Sequence, residues 1–234
     1  MLSNNDIRRE LINAKNIAIH PLKTENIKGS SINLTASKYA WNISTKESAL
    51  SEDQQKILIP PHSTVCIFTE EAVWVSRKIG GTYHPRVSLV SKGMGNISTT
   101  LDPQWYGLSL VGVNNPTTQP IELKVGEAFV SVILYYLKTS ATKGIIENQA
   151  SRPDIYSKFI TSDEEEMFLN SQWHRNYHGI VQKMKSSDSY NDLYQDRTKF
   201  RRNIASFFGH NFISALIGGG IVAIITIILE TIFK

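Results

Sequence analysis

Between residues 15 and 140 the apolar positions come in short runs: AKNIAI, SSINLTA, KYAWNIS, QKILIP, TVCIFT, AVWVS, GLSLVGV, IELKV and AFVSVILYYL. Pro, Gly, Asn and Ser interrupt them about every eight to twelve residues, a spacing that predicts a mainly β sandwich or barrel and argues against βαβ units. Two stretches change to a helical period. SNNDIRRELINA (3–14) reads as a helix capped by Ser3 or Asn4, with Ile7 and Leu11 on its apolar face. Further on, Ser162 precedes Asp163, Glu164, Glu165 and Glu166, the favourable charge for a helix N-terminus. Leu169, Trp173, Tyr177, Ile180, Val181 and Met184 then mark one face of the predicted helix, which ends near Lys183 and Lys185. SSDSYND (186–192) reads as a linker, and a second helix near 191–210 leads into the last segment.

That segment has no polar face. Phe212 to Leu229, FISALIGGGIVAIITIIL, contains no charge. At ~1.5 Å per residue it spans about 27 Å, close to the ~30 Å hydrocarbon layer of a bilayer. The alternative is a buried C-terminal helix of a soluble domain. Arg197, Lys199, Arg201 and Arg202 precede the segment, and MLSNNDIRREL at the start has no signal-peptide character. The expectation is therefore a single-pass membrane protein, tail-anchored, with its N-terminal domain cytoplasmic by the positive-inside rule. Ala215, Gly219 and Ala223 offer a small-xxx-small face for self-association. The chain divides into a β-domain (1–150), a helical stalk and linker (151–202) and a transmembrane anchor (203–234).

Composition changes this picture little. The 234 residues are 41% hydrophobic and 20% charged, enough apolar content for a core. The mean hydropathy of −0.20 averages over unlike parts. The net charge of +4 includes the basic collar before residue 203, and no basic stripe interleaved with aromatics suggests nucleic acid as a partner. A lone cysteine, Cys66, excludes an intrachain disulfide and a cysteine-based metal cluster. His174 and His178 stand four apart on the predicted helix, but HRNYH lacks the glutamate of HExxH and a third ligand, so they read as partly exposed surface histidines. GGTY (80–83) and GMGN (93–96) are too short for a phosphate loop. No metal site is expected.

A more specific signal comes from six segments taken together: IKGSSINL (27–34), ILIPPHSTVCIFTEEAVWV (57–75), HPRVSLVSKGMG (84–95), TTLDPQWYG (99–107), NNPTTQPIELKVGEAF (114–129) and SVILYYL (131–137). In this order and spacing the chain resembles the dCTP deaminase branch of the dUTPase-like superfamily over about residues 2–140. LDPQWYG is similar to the family's I-D-P-G-W-x-G hairpin, and LSNNDI to its LSDxDI start. The resemblance implies a dUTPase-like distorted β-barrel or jelly roll, followed here by the helical stalk and one transmembrane helix. It also implies a homotrimer with nucleotide sites at subunit interfaces, and magnesium arriving with a triphosphate, although the sequence itself requires no cofactor. Residue by residue, Arg86 and Ser88 fall on the phosphate-facing segment, Asp102 on the motif aspartate near sugar and reacting water, and Trp105 on the motif tryptophan. The residue types suit these roles, since guanidinium and hydroxyl groups bind phosphate oxygens and a carboxylate grips a sugar hydroxyl. A structural role stays open for Asp102 as a turn cap, for Trp105 as core, and for Ser88.

The departures define the functional expectation. The family's R-S-S-L-A-R-x-G reads here Arg86, Val87, Ser88, Leu89, Val90, Ser91, Lys92, Gly93. The catalytic glutamate of L-E-F-x-N falls at Gly112, no carboxylate lies between Asp102 and Glu122, and Asn33 replaces the aspartate of the first motif. Losing a general acid/base typically costs about 10²–10⁴-fold. Three functions remain: a catalytically degenerate (deoxy)nucleotide-binding sensor or trimeric scaffold, such as a membrane-bound defence effector; an active dUTPase or dCTP deaminase, with Asp102 as its catalytic carboxylate; and a pure protein-interaction scaffold.

Overall fold

A computed structural model of the chain describes residues 1–96, 99–143 and 151–198. The expected anchor, 203–234, lies outside them, and among the described residues no helix is long and apolar enough to cross a membrane. The chain forms two compact units, Met1–Asn191 and Asp192–Lys234. Residues 192–198 are the described part of the second and are helical.

The first unit is mainly β. Helix α1 (Asn4–Asn13) opens it, with Ser3 and Asp6 forming a capping box and Ala14 closing it in the left-handed conformation. Among the described residues ten strands follow: β1 (Ile17–His20), β2 (Ile32–Asn42), β3 (Lys56–Ile59), β4 (Ser63–Val75), β5 (Ile79–Pro85), β6 (Gly95–Asn96), β7 (Thr100–Leu101), β8 (Tyr106–Asn115), β9 (Ile121–Lys124) and β10 (Ala128–Tyr136). Between β5 and β6 lies the short helix α2 (Val87–Val90). The main sheet runs β6-β8-β4-β2-β10-β5-β7, with β1 added to β4, while β3 and β9 pair separately.

Two long strands curl the sheet by changing partner along their length. β2 pairs β10 through Ile32–Thr35 and then β4 through Ala36–Asn42. β4 pairs β2 up to Thr69 and β1 from Ala72 onward. Each change falls at an irregularity, Ala36/Ala40 in β2 and Phe68/Ala72 in β4. Hydroxyl groups serve the backbone there: Ser37 Oγ donates to Phe68 O at 2.8 Å, and Thr69 Oγ1 to Glu71 O at 2.8 Å. These bulges explain why SSINLTA and KYAWNIS, or TVCIFT and AVWVS, read as separate strands although each pair is continuous. β5 is absent from the expected runs because IGGTYHP has little β propensity. Gly81 is required there, since a Cβ would come within 2.7 Å of Ile133 O on β10.

The helices after residue 150 do not stand off as a stalk. They are α3 (Pro153–Tyr156), α4 (Asp163–Leu169) and α5 (Tyr177–Lys185), and all belong to the first unit. Phe159 stacks on the buried Trp41 at 5.3 Å and 5°, and Trp41 Nε1 donates to Ile160 O at 3.1 Å. Phe168 stacks on Tyr39 at 4.4 Å. α5 buries Ile180 and Met184, whose Sδ accepts from Ile19 N on β1. The Ser162 cap forms as expected, in a capping box with Glu165. The single helix expected over 162–185 is two, because the chain turns at 170–176 to bury His174 while leaving Tyr177 exposed. The expected 186–192 linker is helical again from residue 188.

Candidate functional site

The LDPQWYG segment folds as a tight turn between β7 and β8. Trp105 N donates to Asp102 O at 3.1 Å, Pro103 takes the second position, and Gln104 the third at φ +68. This is the type II pattern, whose third position favours glycine, and Gln104 carries its side chain there at some strain. Trp105 O accepts from Val75 N at 3.0 Å, so the turn is tied to the end of β4.

Asp102 and Trp105 line one cleft of about 520 Å³ together with Tyr83, Thr99, Thr100, Pro103, Ser109, Leu110, Lys143 and Arg152. Its inner wall is polar and fixed. The Tyr83 and Ser109 hydroxyls lie 2.6 Å apart, and Ser109 N donates to Thr69 Oγ1 at the β4 bulge. Burial pushes the Tyr83 phenol far above its ordinary range, so it stays protonated. Trp105 Nε1 is buried and meets no acceptor among the described residues. A buried donor without a partner costs about 1–3 kcal/mol, which an acceptor on a ligand would recover.

The outer wall comes from the segment after residue 150. Ser151 and Arg152 both have left-handed backbone, at φ 59 and 51. The buried Ser151 holds this conformation through two contacts: its Oγ accepts from Leu108 N on β8 at 3.0 Å and lies 3.3 Å from His174 Nδ1. His174 Nε2 lies 2.8 Å from Phe168 O, and since a carbonyl only accepts, the proton sits on Nε2 and Ser151 Oγ–H points to Nδ1. Burial lowers the His174 pKa, with Arg175 acting in the same direction, which keeps the ring neutral. Arg152 thereby reaches the cleft mouth, where Asp154 holds it in a two-point ion pair at 2.6 and 2.9 Å.

Arg86 and Ser88 do not line this cleft. Arg86 occupies the N-cap of α2, and its Nη1 donates to Ala128 O at 2.7 Å, tying α2 to β10. Ser88 is exposed, beside Val87 at 84% exposure. Gly112 pairs with Cys66 on β4, and a Cβ there would meet only Thr64 Cγ2, at 4.0 Å. It follows Leu110 by two, on the same face of β8. Among the described residues lining the cleft, Asp102 is the one carboxylate.

The pair His174 and His178, expected on one helical surface, is split: His174 is buried in the turn before α5 and His178 is exposed on the helix. Among the described residues no three His, Cys, Asp or Glu converge on a possible metal position. Gly93, at φ +88, packs against the Thr117 side chain and serves a turn. Sequence reasoning missed Tyr83, Ser109, Lys143 and Arg152. Inward alternation in β5 and β8 marks the first two, whereas nothing local marks the cations.

The chain is similar to several curated proteins, all but one of them dCTP deaminases by name. It is 30% identical over 124 residues to the dCTP deaminase of Pyrococcus horikoshii, covering 53% of this chain and 78% of that protein. It is 28% identical over 146 residues to the "Probable deoxyuridine 5'-triphosphate nucleotidohydrolase" of Sulfolobus islandicus rod-shaped virus 1, covering 61% and 88%. Among solved structures, the 2'-deoxycytidine 5'-triphosphate deaminase from Agrobacterium tumefaciens matches at a TM-score of 0.47 and 12% identity, covering 57% of this chain and 46% of that one. The model of the dCTP deaminase-like family matches residues 1–137, and the chain belongs to that family.

Proposed function

We propose that the β-domain binds a pyrimidine deoxynucleotide in the Asp102–Trp105 cleft and does not deaminate it. The observation that carries this reading is the shared cleft: among the described residues, one carboxylate, one indole whose donor meets no acceptor, and two cations, Lys143 and the Asp154-paired Arg152, around a polar wall. Asp102 suits a sugar hydroxyl, Trp105 can donate to a base or sugar oxygen, and the cations suit phosphates. Deamination needs a group that shuttles a proton between water and the ring. Gly112 has none, although the space beside it is open. Magnesium brought by a triphosphate would be held by phosphate oxygens, and Asp102 is the one carboxylate among the described lining residues that could assist.

Arg86 and Ser88 enter such a site only when another copy supplies them. That favours a homotrimer with interfacial sites, the arrangement implied by the family resemblance. The apolar stretch 212–229 supports membrane anchoring with the β-domain on the cytoplasmic side, as a sensor or scaffold. Survival of Asp102 favours dUTP hydrolysis as the second reading, because a carboxylate alone can polarise water.

Titrating the full chain with dCTP, dUTP, dTTP and dATP tests the site. Pyrimidine nucleotides bind, and Asp102→Asn weakens them about 10–100-fold, the worth of one charged hydrogen bond. Ammonia release from dCTP stays at background. Ammonia from the wild-type chain refutes the proposal, whereas pyrophosphate from dUTP, lost in Asp102→Asn, moves it to the second reading. Fractionating cells with and without residues 203–234 tests the anchor, which fails if the full chain stays soluble.

A further inference from the structure

A second cleft, of about 820 Å³, lies on the other side of the Asp102–Trp105 turn. Side chains alternate along the turn and the start of β8: Asp102 and Trp105 line the first cleft, Gln104 and Tyr106 the second. Among the described residues its lining includes three cations, Lys15, Arg77 and Arg175, and no acidic residue. None of the three makes an ion pair with a carboxylate among the described residues. Arg175 is aimed by a 2.8 Å bond from Nη1 to Asn170 Oδ1. The aromatic part is a stacked pair, Trp74 on β4 and Tyr177 on α5, 5.2 Å apart at 24°. Trp74 also stands opposite Tyr106 in the β4–β8 ladder.

Cations gathered without counter-charge raise the local positive potential and cost free energy that a bound anion relieves. Tyr177, 39% exposed and also in contact with His178 at 3.8 Å, and the Trp74 indole beside it leave an aromatic edge against which a planar base packs. We propose that this cleft is a second binding site, distinct from the Asp102 cleft, for a nucleotide whose phosphates meet Arg77, Arg175 and Lys15 and whose base lies against Tyr177 and Trp74.

The test is a binding titration of the full chain with ATP, dCTP and dUTP, and with inorganic triphosphate as a probe lacking the base. Two classes of nucleotide site are expected. Arg77→Ala/Arg175→Ala removes one class and keeps the other, while Asp102→Asn does the reverse, so failure of either site is seen separately. Tyr177→Leu, which keeps the apolar bulk, weakens nucleotide but not inorganic triphosphate at the second site, and guards against a folding defect in the arginine variant. A single class of site, or two classes that survive the arginine substitutions, overturns the proposal. Inorganic triphosphate binding as tightly as ATP overturns the assignment to nucleotides, and so does a single-stranded oligonucleotide binding tighter than any mononucleotide.

Discussion

Each of the two clefts has one wall made by strands and one made by the segment after residue 150, and different forces hold them. The strand wall rests on ladder hydrogen bonds and on aliphatic and aromatic side chains buried on both sides, Val65, Ile67, Phe68, Val111 and Val113 among them. The helical wall rests on a smaller set of contacts: Phe159 on Trp41, Phe168 on Tyr39, Tyr177 on Trp74, Ile180 and Met184 buried on α5, and Ser151 on Leu108 N. Redundant contacts tolerate a lost member, whereas sparse ones do not. The residues that distinguish the clefts, Arg152 in one and Arg175 with Tyr177 in the other, all sit on the sparse wall.

The largest effect is expected at the aromatic joint. Phe159→Ala removes a side chain that is 9% exposed, and truncations of this kind cost about 3–5 kcal/mol. Urea denaturation followed by tryptophan fluorescence measures it. A separate helical stalk would unfold in its own transition and leave the β-domain midpoint unchanged, which would refute this packing.

Ser151→Ala comes next. It leaves Leu108 N–H and His174 Nδ1 without their partner, a loss of about 1–3 kcal/mol. Ser151→Gly loses the same hydroxyl but relieves the left-handed backbone at φ 59, so it is expected to be less destabilising by about 1 kcal/mol. Equal effects from the two would show that strain at residue 151 contributes nothing.

A pH series gives a smaller and more gradual response. Burial lowers the folded-state pKa of His174, and burial with Lys183 nearby lowers that of His20, from an unfolded value of 6.5. Neutral rings are therefore part of the fold: their contribution is complete above about pH 6.5 and is lost as pH falls through the lower folded values. Glu71 is shifted the other way by burial, so its contribution is present at low pH and diminishes as pH rises through its raised value. Tm measured from pH 7.5 down to 5 should decline, and His174→Asn should flatten part of that slope. An unchanged slope in the variant would place the effect elsewhere.

Legibility followed the same division. Short apolar runs punctuated by Pro, Gly, Asn and Ser exposed most strands, and the Ser3 and Ser162 caps marked two helix starts, because those signals are local. The bulges at Ser37 and Thr69 blurred strand limits, since a hydroxyl replacing a ladder bond leaves no trace in hydropathy. LDPQWYG brought out Asp102 and Trp105 through its resemblance to the family's hairpin, whose motif residues stand together in sequence. Arg152 and Lys143 stayed hidden, as nothing local in the sequence shows a cation's approach to a cleft built by strands upstream in the chain. Arg86 was legible as a motif residue, yet within one chain its guanidinium is used on Ala128 O.

The smallest predicted effect tests the segment common to both clefts. Gln104 holds φ +68 at the turn position that favours glycine, while its side chain lines the second cleft. Gln104→Gly should stabilise the chain by about 0.5–1 kcal/mol, because the left-handed strain disappears and outweighs the added flexibility of the unfolded chain. If the glutamine serves only the turn, nucleotide affinity at the Asp102 cleft is unchanged or slightly higher and the second site is untouched. If it touches a ligand, thermal stability rises while binding at the second site weakens by a few-fold. The two readouts move in opposite directions only when a strained residue is kept for a contact, and a calorimetric scan paired with a titration of the same variant separates the cases.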